Sequence, residues 1–436
     1  MTKFYRLIHP FLFLFPFFLI TFLILVTCRD LTSLKKSNTD PVTTASVQAE
    51  HYYSVPISPW KDVIIYAHGY VNPTTPGPTI PDDKIGGRYI GDLINSLGFA
   101  FATTSYPGNG LVIPAAVPDI KKLADQFKAK FPQTEHVYLV GVSEGGLITA
   151  KVIETYPNTF TGGIAGCGPV GDFEKQLDYF GNFQVLFHYF YPNIDIGTPD
   201  RVPDSLITSW VNGGMKTEIQ SRIDGKILPL LKVAEVPIDN LTDAKQTVLG
   251  LLRYNLLATN DAVNKLGGYP FDNRRIFYHG TGIPQKDIVL NSQIPRFRAD
   301  STALNEINSD YQTTGKLTIP LVTIHNTGDP IVPYFHERLY EKKIEQEGST
   351  ALHKNIALNS YGHCNFNTSD LLAAFSALLK LTGKQKLVVS KSIFPNNTEL
   401  QNFLKLSKTY GVKPAISSSD QISSETFIHG TLSSEK

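Results

Sequence analysis

The apolar run Val137-Tyr138-Leu139-Val140 breaks into Gly141-Val142-Ser143-Glu144-Gly145, and Gly146-Leu147-Ile148 follows at once. No other stretch constrains the chain so tightly. A β-rich run stopped by glycine, with a helical pattern starting two residues later, forces strand, turn and helix into a very short span. Only small residues can flank the serine if such a bend is to close, and the bend raises the serine hydroxyl above the end of a sheet.

The same strand-then-breaker grammar recurs along the chain. Asp62 to Ala67 stops at His68-Gly69, Phe99 to Ser105 stops at Pro107 and Gly108, and Gly163 to Cys167 stops at Gly168-Pro169. Leu317 to Ile324 and the shorter Lys354 to Leu358 continue it. Between them, Pro118 to Lys130 carries Ile120, Leu123, Ala124 and Phe127 at helical spacing with Pro118 as the entry signal. Tyr334 to Gln346 and Leu371 to Leu381 read as further helices, the second introduced by Ser369-Asp370. Strands alternating with helices predict an α/β fold: a mostly parallel sheet with helices on both faces.

Strand grammar disappears between Asp172 and Lys316, where helical patterns and aromatic clusters such as Phe183, Phe187, Tyr189, Phe190 and Tyr191 take over. This interval predicts a helical cap or lid inserted over the sheet. The division that follows is 1-28 as an export or anchor segment, 29-50 as a flexible tether, 51-171 and 317-385 as the core, 172-316 as the cap, and 386-436 as a partly disordered extension, Ser-rich and polar from about Ala415.

The first segment places Lys3 and Arg6 before an almost unbroken apolar run, Phe11 to Thr27, ending at Cys28. Such a pattern predicts export, with a cleaved signal or a retained anchor both within the length a bilayer requires. Leu25-Val26-Thr27-Cys28 resembles the bacterial lipoprotein box, which would make Cys28 a lipid anchor, although Thr27 stands where that box usually has Gly, Ala or Ser. The membrane is therefore an expected partner through this segment alone. With 40 Lys and Arg against 39 Asp and Glu, the chain has no overall field to gather nucleic acid.

A serine hydroxyl is a poor nucleophile at neutral pH and needs a base within hydrogen-bond reach. His363 fits, lying in the loop after the last core strand with Gly362 before it; His325, His336, His279 and His353 occupy strand, helix or unrelated positions. A carboxylate must then hold the imidazole tautomer. Asp329, in the Gly328-Asp329-Pro330 turn directly after a strand, suits this task, and Asp172 is the alternative. An oxyanion at the attacked carbonyl needs preset backbone donors. Glu144 N–H supplies one, and Tyr70 N–H, in the loop after the Asp62 strand, the other.

Together the elbow at Ser143, the chain order Ser143, Asp329, His363 and the upstream His68-Gly69 loop resemble the α/β-hydrolase superfamily over residues 60 to 385, with 172 to 316 where that family accepts a cap. Thr103 to Tyr106 and Gly267 to Arg274 are similar to stretches in secreted bacterial esterases and peptidases. The resemblance implies a serine hydrolase with no metal and no cofactor. Its substrate is a small-molecule ester or a peptide: a carboxylic ester cleaved through an acyl-enzyme on Ser143 is the leading reading, a serine peptidase the second, and a catalytically silent surface-binding module the third. Cys167 and Cys364 could both approach one sheet edge, and a disulfide between them would be similar to arrangements in tannase-like and feruloyl-esterase-like hydrolases; two buried thiols are the other outcome.

Overall fold

The computed structural model describes residues 48–384, 387–413, 415–417 and 427–432. The proposed signal, Cys28 and nearly all of the tether lie outside the described residues. Among the described residues no helix is long and apolar enough to cross a membrane.

An eight-stranded sheet organises the molecule. In chain order its strands are β1 (His51–Val55), β2 (Asp62–Ala67), β5 (Ala100–Thr104), β6 (His136–Val142), β7 (Gly162–Gly166), β8 (Leu321–Gly328), β9 (His353–Tyr361) and β12 (Ile428–Leu432). The small pairs β3 (Lys84–Ile85) with β4 (Arg88–Tyr89), and β10 (Val388–Ser390) with β11 (Ala415–Ser417), lie apart from it. The spatial order is β12-β1-β5-β2-β6-β7-β8-β9. From β5 to β9 every pair is parallel, while β1 runs antiparallel to both β5 and β12. Strands β2, β5 and β7 are buried almost throughout because helices cover both faces, which is why they read as continuous apolar runs without alternation.

On one face, α2 (Ile113–Lys130), α3 (Glu144–Thr155) and α12 (Phe335–Gln346) bury Ile120, Leu123, Phe127, Leu147, Ile148 and Tyr340 in one core with Ile65, Ala102 and Leu139. On the other, α1 (Ile90–Ser96), α13 (Thr368–Leu381) and α14 (Asn397–Thr409) pack Leu93, Phe375, Leu378 and Phe403 against Ile64, Phe101, Val322 and Ile356. Each such fully buried side chain contributes about 1.5–3 kcal/mol to folding before its entropy cost. Between β7 and β8 the chain makes α4 (Phe173–Phe190), α5 (Asp204–Val211), α6 (Gly214–Arg222), α7 (Ile227–Val233), α8 (Leu241–Leu257), α9 (Thr259–Lys265), α10 (Pro284–Gln293) and α11 (Ser301–Glu306). Most of these share a second core of their own, including Phe183, Phe187, Leu231, Val248 and Leu252, which also takes in Ile331 and Val332 from the loop after β8.

Three local readings change. Pro118 does not open its helix: α2 begins at Ile113 and carries Pro118 inside, where the missing N–H costs only the bond to the carbonyl four residues back, still near the helix start. The tail beyond Ala415 is not without strands, because Ile428 to Leu432 pairs with all of β1 and covers what would otherwise be an open sheet edge. No residue of this edge strand is buried, so its sequence gives no apolar run to find. Strand β8 starts at Leu321 rather than Leu317, after Pro320, whose absent N–H cannot join the ladder.

Candidate active site

The bend at Ser143 is built as its sequence demands. Ser143 sits at φ 58°, ψ −125° between β6 and α3, held by its N–H to the Gly166 carbonyl at 2.9 Å. A Cβ on Gly141 would lie 2.2 Å from the Gly145 carbonyl oxygen, and one on Gly145 would lie 2.0 Å from that of Ala67. Both contacts are with backbone, so neither position accepts a side chain. Of the five described non-glycine residues with positive φ, four surround this point: Tyr106, Ser143, Cys167 and Cys364. Such backbone costs on the order of 1–3 kcal/mol per residue and persists only where the surroundings fix it.

His363 meets Ser143 from the loop after β9. Its Nε2 lies 2.9 Å from Ser143 Oγ, and its Nδ1 lies 2.7 Å from Asp329 Oδ2. Asp329 is fully buried, and its Oδ1 accepts from the Ile331 and Val332 amides at 2.8 and 3.0 Å. Burial alone would raise this carboxyl, but the neighbouring His363 and His325 outweigh it and hold Asp329 down at about 2. An ionised acceptor at Nδ1 fixes the proton there and leaves Nε2 free to receive the serine proton. Asp172 plays no such part: it caps α4, accepting from the Glu174 and Lys175 amides.

The other histidines separate by role. His336 is buried against Gln176, and burial lowers it. His353 bonds Thr323, and burial lowers it to about 4, while His279 is exposed beside Glu235. His325 is different. Its Nε2 lies 2.9 Å from the acceptor-only Val332 carbonyl and 3.4 Å from Asp329 Oδ2, and its Nδ1 lies 3.0 Å from Glu337 Oε1. Burial would lower it, yet hydrogen bonds to Asp329 and Glu337 overcome that and raise it to about 10. The ring is thus held between two carboxyls that favour its protonated form, behind Asp329, the residue bonded to His363 Nδ1.

The loop after β2 reaches the serine. A Cβ on Gly69 would lie 3.1 Å from Ser143 Cβ and 3.7 Å from its Oγ, so the backbone leading into Tyr70 passes beside the hydroxyl. The His68 ring packs tilted against Tyr106 with centroids 4.1 Å apart, and Tyr106 donates its hydroxyl proton to the His68 carbonyl at 3.1 Å, which supports the loop. Glu144, as the first residue of α3, has an amide outside the intrahelical ladder. Its side chain was not legible as part of the site. It is buried, with Oε1 accepting from the Val112 amide at 3.0 Å and Oε2 without a partner among the described residues, and burial pushes it up to about 8.

Cys167 and Cys364 form a disulfide with Cα atoms 5.4 Å apart. It ties the residue after β7 to the residue after His363, and both sulfurs are used, so neither is a thiolate beside the imidazole.

Ser143 and Glu144 open into a pocket walled by Leu111, Phe173, Phe180, Tyr254, Phe271 and Val332. The sheet end supplies Ser143 and Glu144, and the insertion most of the wall. Phe180 and Tyr254 stack at 5.0 Å and 10°, giving a flat side. Phe271 lies against Gly181, where an added Cβ would fall 2.5 Å from its ring. Pro270 and Phe271 also give a place in the site to the Gly267 to Arg274 stretch, whose spacing signalled no mechanism. The i, i+3/i+4 stripe Phe173, Gln176, Leu177, Phe180, Gly181, Gln184 was the available signal that α4 lines a pocket.

The strand order, the elbow between β6 and α3, and the loops that gather Ser143, Asp329 and His363 at one end of a parallel sheet define the α/β-hydrolase fold, and that is the class of this chain. No family model matches the sequence. A stretch of 98 residues is 31% identical to o-phthalyl amidase from Xanthobacter agilis, covering 22% of this chain and 21% of the amidase, so the match spans about a fifth of that protein. Similar solved structures include Est1E from Butyrivibrio proteoclasticus, 12% identical over 78% of this chain and 96% of that one with a TM-score of 0.37. Another is the Pyrococcus horikoshii acylaminoacyl peptidase, 12% identical over 72% of this chain and 35% of that one with a TM-score of 0.36. At such scores the overlaps bear no weight for activity.

Proposed function

We propose that this chain is a serine hydrolase that cleaves a carboxylic ester through an acyl-enzyme on Ser143. The observation that carries the reading is the continuous line from Ser143 Oγ through His363 to the ionised Asp329, at 2.9 and 2.7 Å. His363 Nε2 takes the hydroxyl proton as Oγ attacks the carbonyl, and the resulting oxyanion faces the Tyr70 and Glu144 amides. Collapse of the tetrahedral intermediate expels the alcohol, which receives the proton from His363. Water then repeats the sequence on the acyl-enzyme and frees the acid. The apolar pocket beside Ser143 supports a substrate with an apolar group next to its carbonyl.

Amide cleavage is the second reading, supported by the 98-residue likeness to an amidase. It uses the same groups, with a leaving amine protonated in place of an alkoxide. Turnover of short p-nitrophenyl acyl esters against matched acyl anilides, in the wild type and in Ser143→Ala, tests both. Ester turnover that disappears in the variant is expected. Turnover of anilides alone would reverse the order of the two readings, and ester turnover unchanged in the variant would remove Ser143 from the chemistry.

The same proposal places the protein outside the cytoplasm, held at the membrane by its amino-terminal segment. The Cys167–Cys364 disulfide supports this, because such bonds persist in oxidising compartments. Recovery of the full chain in the membrane fraction, and its release on removing residues 1 to 50, is the expected outcome; a cytosolic full chain would contradict it.

A further inference from the structure

The turn that carries Asp329 is held from behind by two polar residues that the reaction as described does not use. His325 on β8 and Glu337 on α12 are both fully buried. The ring of His325 reaches both ends of the turn: its Nε2 lies 2.9 Å from the Val332 carbonyl oxygen and 3.4 Å from Asp329 Oδ2. A carbonyl oxygen only accepts, so Nε2 carries a proton and donates it. The other ring nitrogen, Nδ1, lies 3.0 Å from Glu337 Oε1, a contact that needs one proton between the two atoms. With that proton on the ring or on the carboxyl, the two residues together carry no net charge. Apolar residues of the same size would fill this space without the cost of burying polar groups, so stability alone gives little reason for the pair.

His325 and His363 meet at one oxygen. Asp329 Oδ2 lies 2.7 Å from His363 Nδ1 and 3.4 Å from His325 Nε2, while Oδ1 is taken by the Ile331 and Val332 amides. The His325 N–H therefore bridges the carboxylate and the Val332 carbonyl and fastens the turn to β8. It also draws on charge at Oδ2 that would otherwise act on His363 alone. An imidazolium held too strongly would keep its proton instead of passing it to the leaving alcohol.

We infer that His325 and Glu337 are positioning residues for the reaction, a proton-sharing pair that fixes the Asp329 turn and divides the charge of Oδ2 between His363 and His325. This deepens the hydrolase reading and rests on it for the reaction. The surroundings leave the pair constant near neutral pH. His336 on the same helix and His353 on β9 are lowered by burial, and Tyr334, Tyr340 and Tyr179 are raised by it. Arg338, Glu341, Lys343 and Lys354 act on Tyr334, His336 and His353 from further out.

The test compares two double variants of the full chain. His325→Leu with Glu337→Leu removes the pair and strands no carboxyl; His325→Gln with Glu337→Gln is uncharged and keeps an N–H donor for Asp329. For a p-nitrophenyl acyl ester, the leucine variant should lose about tenfold in kcat with KM within about twofold of wild type. The acidic limb of its kcat/KM profile should move to higher pH by about half a unit, because the undivided carboxylate favours the imidazolium. The glutamine variant should recover most of both. In a Ser143→Ala background, the His363 titration followed by NMR should show the same upward displacement in the leucine variant and little in the glutamine variant. Unchanged kcat in the folded leucine variant overturns the inference, as does a loss of kcat with neither the limb nor the NMR midpoint displaced. A glutamine variant as impaired as the leucine one overturns it too. The NMR midpoint is read without Ser143, so a wild type lacking ester turnover sinks the hydrolase reading, whereas an unmoved midpoint sinks this inference.

Discussion

The sheet and the insertion hold their parts of the site in different ways. At the sheet end, position is enforced by backbone: a Cβ at Gly145 would strike the Ala67 and His68 carbonyls, and Ser143 is bent into a positive φ between β6 and α3. In the insertion, position is set by side chains against side chains, as where Gly181 makes room for the Phe271 ring. The first arrangement has almost no tolerance and defines a reaction. The second can be repacked, and so defines what the reaction is applied to.

The largest expected effect lies at the sheet end. Ser143→Ala and His363→Ala should each lower ester turnover by on the order of a millionfold, and the double variant should be little worse than either. Losses that simply multiply in the double variant would show that the two side chains do not act as one unit. Next in size is the contrast between glycines. Gly145→Ala should cost more than about 4 kcal/mol in denaturant unfolding or prevent folding, since two carbonyl oxygens must move. Gly181→Ala should leave a folded protein whose KM values for bulky acyl esters change more than its kcat, because only the Phe271 ring must give way. Equal damage from the two substitutions would erase the distinction between the regions.

Smaller again is the disulfide. Reduction, or Cys167→Ser with Cys364→Ser, should lower stability by about 2–4 kcal/mol and reduce turnover by freeing the loop that carries His363. A reduced protein of unchanged stability and turnover would make the bond incidental. The smallest effect is a pH slope at Glu144. Its folded pKa is raised to about 8, so the stability tied to its protonated form is present below its unfolded value of 4.5 and is lost as pH rises through about 8. Thermal unfolding of Glu144→Gln should lose that decline between about pH 4.5 and about pH 8, and a slope identical to wild type would place the titration elsewhere.

The same contrast explains what the sequence disclosed. Glycines at 141 and 145, the Gly328-Asp329-Pro330 turn and the Gly362-His363 loop are local devices whose residue types are dictated by backbone geometry, so they can be read one at a time. Strand β1 and the edge strand β12 beside it could not, since their pairing joins residues 51 to 55 with residues 428 to 432 and no local pattern records it. The His325 ring, bracketed by Asp329 and Glu337, and the buried Glu144 carboxyl depend on burial that only the assembled fold creates. In the insertion the aromatics were visible but their direction was not, because a core face and a pocket face have the same composition.

One measurement bears on the central claim more directly than any other: reaction of the folded protein with a fluorophosphonate, followed by intact mass and peptide mapping. A single adduct per chain on the peptide holding Ser143, absent from Ser143→Ala and strongly slowed in His363→Ala, is the predicted result. A folded wild-type protein that remains unmodified, or one modified at another serine, would contradict it.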